Sequence, residues 1–178
     1  MSVLCLKFRT AIFSVSRVMS FFAFIIFLLL MGSAVSAQGL AERRAINEYK
    51  TEIFPGLQSE INTAAGMEVV IEVDWDKLAS PGQAENYKQE WYITKVFFLP
   101  LIEALKKVAS DDMGKDALKE KLKVIYITHD MDTAPASRYQ DGVSFDNGKL
   151  SINFRVGSNS DDVSQRAAAI QKVLEDSL

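Results

Sequence analysis

The 178-residue chain holds 20 basic and 23 acidic residues, one histidine and one cysteine, for a net charge of −3. This acidic balance argues against nucleic-acid binding, which needs a net basic face to displace counterions from phosphate. It suits a basic protein partner or a cation, and a single cysteine excludes an intrachain disulfide framework.

The N-terminus reads as a targeting segment. Lys7, Arg9 and Arg17 form a basic start with no acid before Glu42, and the apolar run VMSFFAFIIFLLLM follows at 18–31. Val35 and Ala37 occupy positions −3 and −1 of a cleavage site before Gln38. This is the pattern of a secretory signal peptide, and a run of 14 residues is shorter than the about 20 a transmembrane helix needs. Residues 1–37 are therefore expected to be cleaved, and residues 38–178 to fold as a single α+β domain. Three of the 20 basic residues and none of the 23 acids precede residue 38, so the remainder carries 17 basic and 23 acidic residues, a net charge of −6. Cys5 leaves with the leader. The lack of disulfides and of Asn-x-Ser/Thr sequons fits an exported bacterial protein, periplasmic or secreted.

Within residues 40–65, Tyr49, Ile53, Leu57, Ile61 and Ala65 recur every four residues, an apolar helical stripe. Pro55-Gly56 interrupts it, predicting a kink or two short helices, and Gly66 suits a left-handed C-cap. The stretch VVIEVDWD, 69–76, changes to period two. Val69, Ile71, Val73 and Trp75 take one strand face and Glu72, Asp74 and Asp76 the other. KLASPG, 77–82, is a turn. Residues 83–109 then keep a helical face through Tyr87, Trp91, Phe98, Leu101, Leu105 and Val108, broken ahead of Pro100. Trp91 and Tyr92, as helix neighbours about 100° apart, cannot both face one core, so one is expected at the surface.

Ser110-Asp111-Asp112 reads as an N-cap with acids in the first turn of a helix continued by Ala117, Leu118 and Leu122. KVIYITH, 123–129, is a second strand, with His129 on the face of Ile125 and Ile127. DMDTAPASRYQD, 130–141, is the longest polar loop. A hairpin at 142–156 turns on Asn147-Gly148, the type I′ pair, and sets Asp146 opposite Lys149, Phe145 opposite Leu150, Ser144 opposite Ser151 and Val143 opposite Ile152. Ser160 is expected to cap a last helix with Val163, Ala167, Ile170 and Leu174 on its apolar stripe. This order, helix–strand–helices–strand–hairpin–helix, predicts an α+β fold with helices packed on one face of a mainly antiparallel sheet of about four strands.

The acids raise the functional question. Alternate residues on one strand face lie ~6.6 Å apart, too far for Glu72, Asp74 and Asp76 to share one cation. The spacing fits an acid and a base flanking a sugar bond, ~6.5–9.5 Å apart, and equally the wet face of an antiparallel sheet. Asp130-Met131-Asp132 ends the second strand as Asp74-Trp75-Asp76 ends the first. Brought together, Asp74, Asp76, Asp130 and Asp132 would make a calcium-type oxygen cluster, although neither stretch has EF-hand spacing. His129 beside Asp130 is the candidate general base, with Ser137 or Ser144 the nearest hydroxyls in sequence, but no G-x-S-x-G elbow frames them. One histidine without a cysteine leaves zinc short of nitrogen and sulfur ligands. No P-loop or dinucleotide motif is present and no cofactor is expected.

The leading expectation is an exported protein that acts by binding, for example an inhibitor or immunity-type protein with a basic protein partner. The expected contact residues are Glu72, Asp74, Asp76, Asp130, Asp132, Arg138 and Tyr139. A carboxylate-based hydrolase using His129 and Asp130 is the alternative, and a calcium-dependent structural module the second.

Overall fold

The computed structural model describes residues 39–178; the expected leader, residues 1–37, lies outside them. The chain opens with α1 (Leu40–Glu48), a π-helical turn (Tyr49–Ile53) and α2 (Phe54–Ala65). Pro55 falls in the first turn of α2, where its missing N–H leaves no bond unmade. The wider π turn ahead of it relieves the clash of the proline ring with the preceding carbonyl. Gly66 ends α2 at φ 67°, the left-handed cap its position suggested.

Strand β1 covers only Val70–Val73. Asp74 then caps a four-residue helix, α3 (Trp75–Leu78), its Oδ1 accepting the Lys77 N–H at 3.2 Å. The period-two pattern of 69–76 therefore overran the strand. The side-chain cap at Asp74 stops it, and Trp75 turns inward, its ring 5.2 Å from that of Phe54 and 6.1 Å from that of Tyr49.

The expected helix over 83–109 is also shorter. Ala84–Lys88 is a single 3-10 element, and continuous helix starts with a second π turn, Thr94–Phe98, that feeds α4 (Leu99–Val108) past Pro100. Trp91 is 37% exposed and Tyr92 2%, so one of the pair does reach the surface. Helix α5 (Asp112–Lys121) is capped by Asp111, whose Oδ1 accepts the Gly114 N–H at 2.8 Å.

Strands β2 (Val124–Thr128), β3 (Val143–Asp146) and β4 (Lys149–Asn153) complete one sheet of order β1-β2-β4-β3. Its fold class is α+β with four strands, but the sheet is mixed and not mainly antiparallel. β1 and β4 both pair with β2 in parallel, and only the β3–β4 hairpin is antiparallel. Helices α3, α4 and α5, between β1 and β2, supply the long crossover that a parallel pair needs. The hairpin register is the one its turn and pairing predicted: Val143↔Ile152, Ser144↔Ser151, Phe145↔Leu150 and Asp146↔Lys149. Asn147 and Gly148 both adopt positive φ, 51° and 87°.

This topology accounts for the long loop at 130–141. The chain leaves β2, passes over the position that β4 will fill, about 10 Å or two strand spacings, and enters β3 at the outer edge. β4 then returns into the gap. The last helix, α6 (Val163–Ser177), starts after Asp162 rather than Ser160, and Asp162 makes no side-chain cap bond.

The helices cover one face of the sheet. Ile125, Ile127, Leu150 and Ile152 are fully buried beneath Ile61, Leu101, Leu105, Ile170 and Leu174. No described helix is long and apolar enough to cross a membrane.

Candidate functional site: the open face of the sheet

The opposite face carries no helix. Strand alternation and the pairing register lay it out in rows. Val70, Val124, Lys149 and Asp146 form one row, and Glu72, Tyr126, Ser151 and Ser144 the next; Thr128 and Asn153 follow. Val70 is 57% exposed. Glu72, Lys149, Ser144 and Asp146 are exposed, and Val124, Tyr126, Thr128, Ser151 and Asn153 are half-buried.

Tyr126 occupies the middle of this face. Its hydroxyl donates to Asp74 Oδ2 at 3.3 Å, and Lys149 Nζ lies 4.0 Å from its ring centroid. The phenol is thus gripped from the acidic β1 flank and covered by a cation from the β4 flank. Glu72 and Asp74 lie on the β1 side with the apolar Val70; Lys149 and its neighbour Asp146 lie on the β4–β3 side, and Val124 and Tyr126 of β2 stand between them. Thr128 Oγ1, at the C-terminal end of β2, is buried and has no hydrogen-bond partner among the described residues.

The expected site residues are dispersed across this region. Glu72 stands on the open face. Asp74 sits just beyond β1, occupied by the Lys77 N–H and the Tyr126 hydroxyl, with Lys77 Nζ at 3.9 Å. Asp76 is in the first turn of α3 and exposed. Across the strand ends, Asp130 Oδ1 accepts the Asp132 N–H at 3.0 Å, a local turn bond. The Asp130 N–H in turn donates to Asn153 Oδ1 at 2.9 Å. Among the described residues no three His, Cys, Asp or Glu side chains group to hold a metal ion, so Asp74, Asp76, Asp130 and Asp132 do not converge into the oxygen cluster imagined for calcium.

His129 is 3% exposed. Its ring nitrogens face the Phe154 carbonyl oxygen at 2.9 Å and Met131 Sδ at 3.0 Å, rather than Asp130 or a serine. Alternation puts the ring on the helix-covered side, whereas Ser144 lies on the open side, so the sheet itself stands between these two expected catalytic partners. Burial pushes the His129 pKa below its ordinary value; the Phe154 carbonyl opposes this, Arg155 adds to it and Asp130 opposes it.

Arg138 is exposed and pairs with Asp141, Nε to Oδ2 at 3.2 Å. Tyr139, expected at the contact surface, is 5% exposed and belongs to the core. Its hydroxyl donates to Asp162 Oδ2 at 2.7 Å, and its ring packs edge-on to Phe154 and under the Arg166 guanidinium at 4.4 Å.

Tyr126, Lys149 and Val70 were not among the expected contact residues. Their signal was present: in VIYIT the residues between the buried isoleucines must face the other way, and the register aligns them with Glu72 and Ser151. Arg166 was missed for a different reason. It is fully buried, a position that a helix stripe built only from apolar residues does not mark.

No protein-family model, curated protein or solved structure matches this chain.

Proposed function

We propose that this protein acts by binding a protein partner on the open face of its sheet, and that it does so after export across a membrane. One observation carries the reading. Three strands run parallel, yet one face of them is bare. Parallel strands are ordinarily covered on both faces, because crossover helices pack above and below. Here α2, α4 and α6 form one apolar layer on a single side, which leaves Val70, Val124 and Tyr126 in contact with water. A partner that covers them removes apolar area, worth about 25 cal/mol per Å².

The partner's chemistry follows from the flanks. Glu72 and Asp74 sit beside the apolar centre, and residues 38–178 carry a net charge of −6. A basic, partly apolar surface or segment is complementary, and the charge favours fast association at low salt. The leader pattern of residues 1–37 supports export.

The test is an affinity capture with the full-length chain tagged at its C-terminus, from source cells at low salt, against the double variant Val70→Lys, Glu72→Lys. Both residues are exposed, so the substitutions spare the core. Asp74 is kept because its carboxylate caps α3. A protein retained by the native chain and lost with the variant supports the reading. Equal retention removes the open face as the contact surface.

A further inference from the structure

We propose that the outer edge of β1 accepts an extended segment of the partner as a fifth strand of the sheet, its residues alternating between basic and apolar. This rests on the binding reading above and names the kind of segment that binds. β1 ends the sheet on one side, with β2 as its only strand neighbour. The Asp74 N–H donates to the Ile127 carbonyl at 2.9 Å. In a parallel ladder that pairs Val73 with Ile127, this bond turns the backbone groups of Glu72 and Asp74 toward β2 and those of Ile71 and Val73 away from it. Val69 faces outward in the same way, and its N–H is taken by Asn62 Oδ1 at 3.1 Å. The outward N–H and C=O groups of Ile71 and Val73 have no partner among the described residues, and no other described strand runs beside them. Such a row of donors and acceptors is a template for one more strand.

Alternation decides what that strand carries, because cross-strand partners share a face of the sheet. On the helix side it meets Ile71 and Val73, which stay half-buried at the margin of the core. Apolar residues opposite them extend that core. On the open side it meets Val70 and Glu72, both exposed. Asp74 is already occupied by the Lys77 N–H and the Tyr126 hydroxyl. The Glu72 carboxylate has no hydrogen bond or ion pair among the described residues. Glu72 is therefore the acid left to pair with a lysine or arginine opposite, and the stem of the next basic residue lies over Val70. A second copy of the chain is a poorer occupant. Its edge brings the same Glu72 and Asp74, and like charges set opposite one another destabilise a pairing. A basic segment instead complements the net charge of −6 on residues 38–178.

Ile71→Pro separates the edge from the open face. It removes an outward N–H and sets a ring over the edge, the one place where a strand tolerates proline. The bonds to β2 come from Val70, Glu72 and Asp74 and are untouched. Val70, which precedes the new proline, is already extended, as that position requires.

The probe is a fluorescent peptide, Lys-Val-Lys-Val-Lys-Val-Lys, acetylated and amidated, followed by anisotropy against the full chain at low salt. The native chain should bind it. Ile71→Pro should weaken binding by about tenfold or more, through one lost hydrogen bond and a blocked edge. Glu72→Gln should weaken it by about 2–5-fold, through one lost cross-strand charge pair. A peptide of the same composition with its lysines and valines in separate blocks should bind more weakly than the alternating one. A strand turns only one alternate set of amides toward its neighbour. N-methylation of that set, the valine amides in an antiparallel pairing, should abolish binding, and methylation of the other set should not. This arm leaves the protein unaltered and so does not depend on how the proline variant folds. No binding by the native chain, equal binding of the block peptide, an equal response to both methylations, or no effect of Ile71→Pro would each overturn the proposal. The open-face reading fails separately. A cellular partner lost with Val70→Lys, Glu72→Lys but retained by Ile71→Pro overturns the edge and leaves the open face standing, whereas peptide binding that Ile71→Pro abolishes supports the edge whatever the capture shows.

Discussion

Replacing Arg166 with methionine tests how this core tolerates a buried charge. Arg166 has no exposed surface. Its Nη1 and Nη2 donate to the carbonyl oxygens of Asn159 and Ser158, both at 2.8 Å, and its guanidinium lies 4.4 Å from the Tyr139 ring centroid. Each charge-assisted bond contributes about 1.5–3 kcal/mol and the desolvated cation–π contact about 2 kcal/mol, a gross loss of about 5–8 kcal/mol. Methionine recovers the desolvation cost of the guanidinium, itself several kcal/mol, part of which reflects an Nε without a partner among the described residues. The net expectation is a loss of about 2–4 kcal/mol, a substantial share of the about 5–15 kcal/mol that holds a domain together. Urea denaturation of the native and Arg166→Met proteins measures it. Amide exchange should also quicken across residues 157–162, since Arg166 holds the two carbonyls that shape this loop and Asn159 sits there at φ 47°. Arg166→Lys, which keeps the charge but not the fork, should fall between the two. A methionine variant as stable as the native chain would refute the reasoning, because it would mean that desolvation outweighs every bond the guanidinium makes.

Two glycines in helices should respond with opposite signs to alanine. At Gly56 nothing lies within 4 Å of an added Cβ, so Gly56→Ala should stabilise by up to about 1 kcal/mol; at Gly114 the Cβ would clash with the Val108 backbone carbonyl, and Gly114→Ala should destabilise by about 1–3 kcal/mol, with thermal melting as the readout. Because the folded His129 pKa lies below its ordinary 6.5, the unfolded chain binds the extra proton first as pH falls. Stability should therefore be constant above 6.5 on this residue's account and decline from 6.5 down to the folded pKa. His129→Gln should flatten that decline in urea midpoints followed across pH, and an unchanged slope would assign it to other groups. Asp74→Ala should cost about 1 kcal/mol through the lost cap of α3 while Asp74→Asn, which still accepts from Lys77, should cost a few tenths; equal losses for both would show that charge toward Lys77 Nζ, not capping, is what Asp74 supplies.

The elements that could be read from the sequence are those whose causes are local. Asn147-Gly148 defines its own turn, and the pairs flanking it agree in polarity, so the β3–β4 register follows from a dozen residues. Gly66 ends α2 because few other residues adopt that φ, and alternation in VIYIT alone separates Ile125 and Ile127 from Tyr126. Where the local reading failed, a competing local bond was the cause: the cap at Asp74 cuts short a strand whose period-two pattern continued to Asp76. The remaining features depend on groups far apart in the chain. Nothing near β2 states that β1 and β4 will flank it in parallel, because that depends on α4, α6 and α2 sharing one apolar layer on one side of the sheet. The same packing decides which face stays open, and so why Glu72 faces solvent beside Tyr126 and Lys149. It brings Phe154, 25 residues on, to the ring of His129 and so selects the tautomer. It also converts Tyr139 from an expected contact residue into a core residue beneath Arg166. Turn chemistry and side-chain period act over a few residues and are written in the sequence, whereas strand order, the uncovered face and the environment of a buried polar group arise only when distant apolar surfaces find one another.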